Sequence, residues 1–408
     1  MKITVQKFGG TSVGTPGRIR DVAQKIVQRR QEGESLAVVV SAMAGETDRL
    51  IRLSNDVSDS AYLREYDVLL ASGEQVSAAL LSMALQDLGV PARSFLAYQL
   101  PIITSDSHSL AMIQRIEVQA LYDCLSEGNV AVIAGFQGTT VNGDITTLGR
   151  GGSDTTAVAL AASLNAACCE IFTDVDGVYT CDPNVYSRAR MLERISYDEM
   201  MELAVLGARV LHSRCVEMAK KYNVNIRVRS SFNDGKGTRV CEESEKMEGA
   251  LISGITYSKG EARISVLGVP DRPGIAFQIF DSLALEGINV DMIIQNVGRS
   301  NMTDLTFTVP SSELDRAVTR IKQVAHDIKA EGVLADGDIA KISIVGAGMK
   351  SHPGVASRMF GALAREGINI IMISTSEIKI SCIIDVRYTE LAVRVLHDEF
   401  ELEKEPGS

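Results

Sequence analysis

The stretch TLGRGGSDTTAVALAA (147–162) sets glycines at 149, 151 and 152 around an arginine, then runs into small, helix-forming residues. Glycine tolerates backbone conformations and close approaches that other residues resist, and alanine is the strongest helix former. A loop of this kind leading straight into a helix leaves backbone N–H groups open to an anion at the helix start. A plain turn before a helix uses the same letters, so the rest of the chain has to decide.

Outward from this stretch, strand-like and helix-like segments alternate. Residues 3–8 read as a strand. Residues 16–30 read as a helix, with proline in the first turn and Ile19, Val22, Ala23, Ile26 and Val27 on one face. Residues 36–41 form the continuous apolar run of a strand buried on both faces. Helix is expected over 66–89 and 155–167, and strand over 130–134 and 170–174. The alternation predicts an α/β domain with a mainly parallel sheet sandwiched by helices, spanning 1–230.

The composition changes at SSFNDGKGTRVCEESEKMEG (230–249), which is polar and glycine-containing, so 231–249 is read as a linker. Beyond it, PGIAFQIFDSLALEGINVDM (273–292) aligns with PGVASRMFGALAREGINIIM (353–372) at an offset of 80, with 11 of 20 positions identical. These are two copies of one strand–turn–helix–strand unit. Two small α+β domains are predicted, at 250–335 and 336–408.

The net charge of −11 and the lack of a long basic run disfavour nucleic acid and anionic membranes as partners. No run of about 18 uncharged apolar residues marks a membrane span, and the N-terminus lacks a signal-peptide core. Seven cysteines without a CxxC pair read as reduced thiols of a cytoplasmic protein. Five scattered histidines make no zinc-type cluster, and no metal site formed by side chains is expected.

Four loops could carry chemistry: KFGGTSVG (7–14), SAMAGETD (41–48), the opening stretch, and FTDVDGVYTCDP (172–183). In open α/β sheets, ligands bind beyond the carboxyl ends of the strands. Two nucleotide signatures fail. GGTSVGTP lacks the lysine of a phosphate-binding P-loop, and GRGGSD has Asp154 where a dinucleotide fingerprint needs its third glycine. The lysine instead precedes the glycines, at position 7.

KFGGTSV, SAM, SGEQVS, TLGRGGSDTTAVALA and TDVDGVYTCDP occur in this order ahead of the repeat. The set closely resembles the aspartate kinases, and the resemblance runs to about residue 400. It implies an amino-acid-kinase domain followed by two ferredoxin-like ACT domains. It also implies ATP-dependent phosphorylation of the aspartate side chain to aspartyl 4-phosphate, the first step toward lysine, threonine and methionine, under feedback inhibition.

The resemblance implies roles for individual residues. Lys7 is the catalytic cation on the phosphoryl group, with Phe8, Gly9, Gly10, Thr11 and Ser12 along the phosphate path. Arg150 grips the non-reacting carboxylate of aspartate, since guanidinium binds carboxylate in a two-pronged geometry. Glu74 pairs with the substrate ammonium; Ser41, Thr47, Gly151 and Ser153 complete the substrate site. Asp154, counted among the catalytic residues, orients Lys7 and holds the site's cations, and it can equally cap the following helix, the two roles being compatible. Thr173, Asp174, Tyr179 and Asp182 hold adenine and ribose. Arg209 stands in GARVLH where relatives commonly carry lysine, which keeps the charge and changes the geometry of a phosphate contact. Mg2+ enters with ATP, held mainly through the phosphates.

Effector amino acids, lysine or threonine or both, are expected in the seam formed when ACT units of a homo-oligomer pair. The matching residues are Asp271, Pro273, Gly274, Ile275, Ala276, Asn289, Asp291 and Gln295 in the first copy. In the second copy they are Gly354, Val355, Asn369 and Ile370. Gly287 and Gly367 also fit helix ends in left-handed conformation. Two other readings stay open at this point: another carboxylate kinase of the same fold, acting on glutamate or acetylglutamate, and a non-catalytic amino-acid sensor.

Overall fold

The computed structural model describes residues 1–404 apart from 59, 61, 208, 209, 243–250 and 297–300, with the backbone alone at 350 and 351. The chain divides into two compact units. The first comprises Met1–Tyr179, Met191–Val205 and Arg209–Met247; the second comprises Thr180–Arg190, Leu206–Ala208 and Glu248–Ser408.

The first unit opens with β1 (Ile3–Phe8), α1 (Pro16–Gln31), β2 (Ser35–Val40), α2 (Glu46–Val57) and α3 (Leu63–Asp87). Next come β3 (Ala92–Phe95), β4 (Ile102–Thr104), β5 (Ile113–Ile116), α4 (Gln119–Ser126), β6 (Val130–Ala134), β7 (Gln137–Thr139) and β8 (Ile145–Thr147). It closes with α5 (Gly152–Ser163), β9 (Cys168–Thr173), β10 (Arg194–Ser196), α6 (Tyr197–Leu206), α7 (Ser213–Tyr222), β11 (Ile226–Ser230) and β12 (Thr238–Cys241).

Eight strands form one sheet in the order β10-β12-β11-β9-β1-β2-β6-β3. Every pairing is parallel except β11 with β12. Val38, Val39, Val40, Val132 and Ile133 are fully buried, as expected for strands covered on both faces. A smaller sheet, β5-β4-β7-β8, stands beside it. The α3 helix is long and apolar enough in composition to cross a bilayer, yet Leu70, Ala71, Ala78, Leu81 and Leu85 pack it into the core of this unit. The polar stretch read as a linker contains β12, a strand of the large sheet.

The second unit holds β13 (Gly254–Ser258), β14 (Glu261–Pro270), α8 (Ile275–Leu285), β15 (Ile293–Gln295), β16 (Met302–Pro310), α9 (Leu314–Asp327) and β17 (Gly332–Asp336). It continues with β18 (Ile339–Val345), α10 (Val355–Arg365), β19 (Met372–Thr375), β20 (Lys379–Asp385) and α11 (Thr389–Glu399). The repeat becomes two antiparallel sheets, β15-β16-β14-β17 and β13-β18-β20-β19. α8 and α10 begin 80 residues apart, each after a glycine at φ near +95°. Gly287 and Gly367 take the left-handed conformation at the helix ends, as expected.

One strand differs from the expected boundaries. The edge position that β17 fills in the first sheet is filled in the second by β13, from before the first copy. The second small domain therefore takes a strand from inside 250–335. Gly254, Ile255 and Thr256 of β13 are all buried and Tyr257 and Ser258 half-buried, a pattern that names no partner, so its place is set by long-range packing that local sequence does not encode.

Candidate active site

Lys7 lies next to the end of β1. Where the chain leaves the strand, the Gly9 N–H donates to the Phe172 carbonyl at 3.2 Å and the Ala44 N–H donates to the Gly10 carbonyl at 3.2 Å. A Cβ on Gly10 would sit 2.9 Å from the Ala42 carbonyl oxygen, so the loops after β1 and β2 meet at a distance only glycine allows. Gly73 does the same for α3, since a Cβ there would lie 2.9 Å from Ala42 Cβ. This close approach carries Glu74 inward, where its Oε1 accepts the Ala42 N–H at 3.0 Å.

The opening stretch forms the facing wall. Gly151 holds φ +70° at the N-cap of α5, and Gly45 holds φ +79° at the N-cap of α2. No side chain caps either helix. Two helix starts thus keep positive potential for an anion. Asp154 lies inside the first turn of α5 rather than at the cap, and its carboxylate meets Lys7 Nζ at 2.6 Å. Of the two roles open to Asp154 in the sequence, the structure shows the one that holds Lys7.

These walls enclose an open cavity of about 390 Å³. Lys7, Gly10, Ser41, Thr47 and Glu74 line one part of it; Arg150, Gly151, Ser153 and Asp154 line another. Nine residues named from the sequence therefore share one site. Burial pushes the Glu74 carboxyl up to about 7, against the Ala42 N–H bond that favours its charge, and its Oε2 has no partner.

The remaining residues fall elsewhere. Phe8 is buried and stacks on Phe172 with ring centroids 4.6 Å apart, so its side chain serves the core. Thr173 ends β9 and Asp174 follows it, both outside the cavity lining, and the Thr173 hydroxyl donates to Asp174 at 3.1 Å. Tyr179 pairs with Met191 across an isolated bridge, and burial, with Asp176 nearby, raises its phenol pKa. Asp182 belongs to the second unit, where its carboxylate accepts the Asn184 N–H at 2.9 Å and the Tyr257 hydroxyl at 3.3 Å. Arg209 lies outside the described residues.

The sequence reading missed part of the site. Phe136 lines the cavity with φ +67°, a conformation nothing in GFQG announces for a non-glycine residue. The loop after β11 also reaches this region. Ser231 and Ser12 share a hydroxyl–hydroxyl bond of 2.5 Å, and the Asn233 amide donates to Asp176 at 2.7 Å. Its polar composition reads as a boundary and gives no sign of a site.

In the second unit, Asp271, Asn289, Asp291 and Gln295 are exposed, whereas Ile275 and Val355 are buried in the cores of their sheets. The Asp291 carboxylate is engaged by Lys341 of β18, which also meets Glu261 of β14 at 2.9 Å. Among the described residues, no three His, Cys, Asp or Glu side chains gather to hold a metal ion.

The amino acid kinase family model matches residues 2–230, and an ACT domain model matches 252–324 and 342–400. An aspartate kinase of Pseudomonas putida is 53% identical over 404 residues, covering 99% of this chain and 98% of that one. The chain belongs to the aspartate kinase family. E. coli aspartokinase III is 25% identical to this aspartate kinase. Its R-state structure in complex with aspartate and ADP superposes with a TM-score of 0.78, covering 98% of this chain and 99% of that one. Its T-state structure in complex with lysine and aspartate superposes with a TM-score of 0.77, covering 98% and 100%. As an aspartate kinase, the chain phosphorylates the aspartate side chain from ATP. Its ACT domains place that activity under feedback control by end-product amino acids.

Proposed function

We propose that the cavity between Lys7 and Arg150 is where aspartate meets the transferred phosphoryl group. The observation that carries this reading is that Lys7 of β1, Glu74 of α3, Arg150 of the loop before α5 and Asp154 of α5 line one cavity. Two anions must approach each other, and charge builds on the phosphoryl oxygens as it moves. Lys7, held by Asp154, supplies positive charge at that point. The two uncapped helix starts add N–H donors, and Gly10 admits oxygens against the backbone. Arg150 takes the non-reacting carboxylate and Glu74 the ammonium, which leaves the side-chain carboxylate aimed at Lys7. Ser41, Thr47 and Ser153 donate the remaining hydrogen bonds. No base is needed, because the attacking carboxylate is already ionised near neutral pH.

ATP brings the phosphoryl group together with Mg2+, which the phosphate oxygens hold. Thr173, Asp174 and Tyr179 form the adenine and ribose side, with Arg209 on a phosphate. Lysine or threonine binds where ACT units of two chains pair; that lysine is an effector is supported by the lysine complex of the E. coli relative. The exposed Asp271, Asn289 and Gln295 present polar groups for such a ligand.

Arg150→Lys tests the substrate assignment. An ammonium cannot reproduce the paired contact, so the KM for aspartate rises about tenfold or more while the KM for ATP stays put. A variant with weakened ATP binding and normal aspartate binding places Arg150 in the nucleotide site instead.

A further inference from the structure

Two charged side chains of the first unit lie outside the cavity lining, yet both reach the loop that carries Arg150. Asp67, on α3, is fully buried. Its carboxylate accepts the Thr147 N–H at 2.9 Å and the Thr147 hydroxyl at 2.7 Å. It also accepts the Ser109 N–H at 2.9 Å and the Ser109 hydroxyl at 3.1 Å, and it lies 3.0 Å from His108 Nδ1. Arg214, at the start of α7, works on the same two segments with the opposite polarity. Its Nη1 donates to the Leu148 carbonyl at 2.6 Å and its Nη2 to the Ala111 carbonyl at 2.7 Å. Between these anchors the Ala111 N–H donates to the Thr147 carbonyl at 3.0 Å.

The two segments are pressed together where it matters. Ser109 holds φ +67°, a left-handed conformation that costs a non-glycine residue energy and persists only when its surroundings impose it. A Cβ on Gly149, next to Arg150, would lie 2.9 Å from Leu110 Cδ2 and 3.0 Å from the Ser109 carbonyl oxygen. On the other flank, a Cβ on Gly151 would lie 2.3 Å from His212 Cβ, two residues before Arg214. The backbone on both sides of Arg150 is therefore fixed by contacts that Asp67 and Arg214 organise.

We propose that Asp67 and Arg214 are positioning residues that clamp residues 108–111 onto 147–149 and so set where Arg150 presents its guanidinium. This rests on the assignment of Arg150 to the non-reacting carboxylate. The distance from that guanidinium to Lys7 then determines which dicarboxylic amino acid reaches the phosphoryl group. Aspartate fits with its side-chain carboxylate in line, and glutamate, one methylene longer, does not. Asp67 supplies only acceptors and Arg214 only donors, so each is matched to what it holds. The clamp discriminates by geometry without touching the substrate.

The test is steady-state kinetics on the full chain with aspartate and glutamate as acceptors, for Asp67→Asn, Arg214→Lys and Thr147→Val. Arg150→Lys is run in parallel, and folding is checked by thermal melting. In Asp67→Asn the KM for aspartate rises about tenfold, and the preference for aspartate over glutamate in kcat/KM falls by a similar factor. The kcat for aspartate and the KM for ATP stay within about threefold. Arg214→Lys keeps one of two carbonyl contacts and shows the same pattern more weakly. Thr147→Val, which removes a single hydroxyl, decides the matter if the charged variants do not fold. Folded variants with an unchanged aspartate KM and unchanged preference overturn the clamp, as does a parallel collapse of kcat and ATP binding. If the clamp variants are silent while Arg150→Lys raises the aspartate KM, the clamp falls and the Arg150 assignment stands. If Arg150→Lys leaves the aspartate KM unchanged, both fall.

Discussion

Glu74 sits where burial and charge pull in opposite directions, and the conflict is measurable. Its carboxyl is pushed up to about 7 from 4.5 by burial. If it pairs with the substrate ammonium, the productive free enzyme is the ionised one. The kcat/KM for aspartate then falls as pH drops below about 7, approaching tenfold per pH unit, and Glu74→Gln loses that limb while binding aspartate weakly at every pH. Persistence of the limb in the variant assigns it to another group. Stability follows with its own sign. Between 4.5 and about 7 the folded state binds more protons than the unfolded, so stability falls as pH rises through that window. The loss reaches about 3 kcal/mol by pH 8 and disappears in Glu74→Gln, as read by denaturant unfolding at several pH values. The sequence alone offers Glu74 as one acid on a helix. Its burial depends on Gly73 and Ala42, a contact that no local pattern reveals.

At the scale of elements, the loops are legible and their mutual approach is not. The runs at 36–41 and 130–134 announce strands because they are apolar on both faces, and the glycines that follow announce turns. What only the structure shows is that Gly10 and the Ala42 carbonyl leave no room for a side chain. Gly10→Ala forces the loops after β1 and β2 apart. It costs about 1–3 kcal/mol of stability, because inserted atoms displace packed backbone. It also lowers kcat/KM for both substrates about tenfold, because the loops position groups for each. Thermal melts and two-substrate kinetics check this; an alanine variant normal in both means the loops yield freely. The sequence predicts the start of α5 at Thr155, and it lies at Gly152, because a left-handed Gly151 caps it with no side-chain bond. Asp154 therefore belongs to Lys7, a pairing between β1 and α5 that spacing could not disclose.

Across the whole molecule, the 80-residue repeat was plain from eleven identities, while its pairing was not. Positions 261 and 341 correspond in the two copies, and the structure joins them as Glu261 with Lys341, along with Asp291. Met292 and Met372, also 80 residues apart, meet in one buried cluster with Ile339 and Ile383. Burial works against the charge of Lys341, but its bonds to Asp291 and Glu261 hold its pKa above the usual value. Asp291, named as an effector ligand, is thus already committed within the chain, which leaves Asp271 as the freer acid of the first copy. Asp271→Ala raises the concentration of lysine or threonine needed for half-inhibition about tenfold and leaves uninhibited activity within twofold, a coupling loss of ordinary size. Dose–response curves for each amino acid, alone and combined, read this out; unchanged inhibition moves the effector site elsewhere. The kinase reaction itself is tested most directly at Lys7, by trapping aspartyl phosphate as its hydroxamate with Lys7→Ala. The account predicts a kcat about 100- to 1,000-fold lower with the KM for ATP within about threefold, because the charge acts on the phosphoryl group in transit. A variant that keeps about a third of the wild-type kcat contradicts it, since removal of a transition-state contact cannot leave the rate so nearly intact.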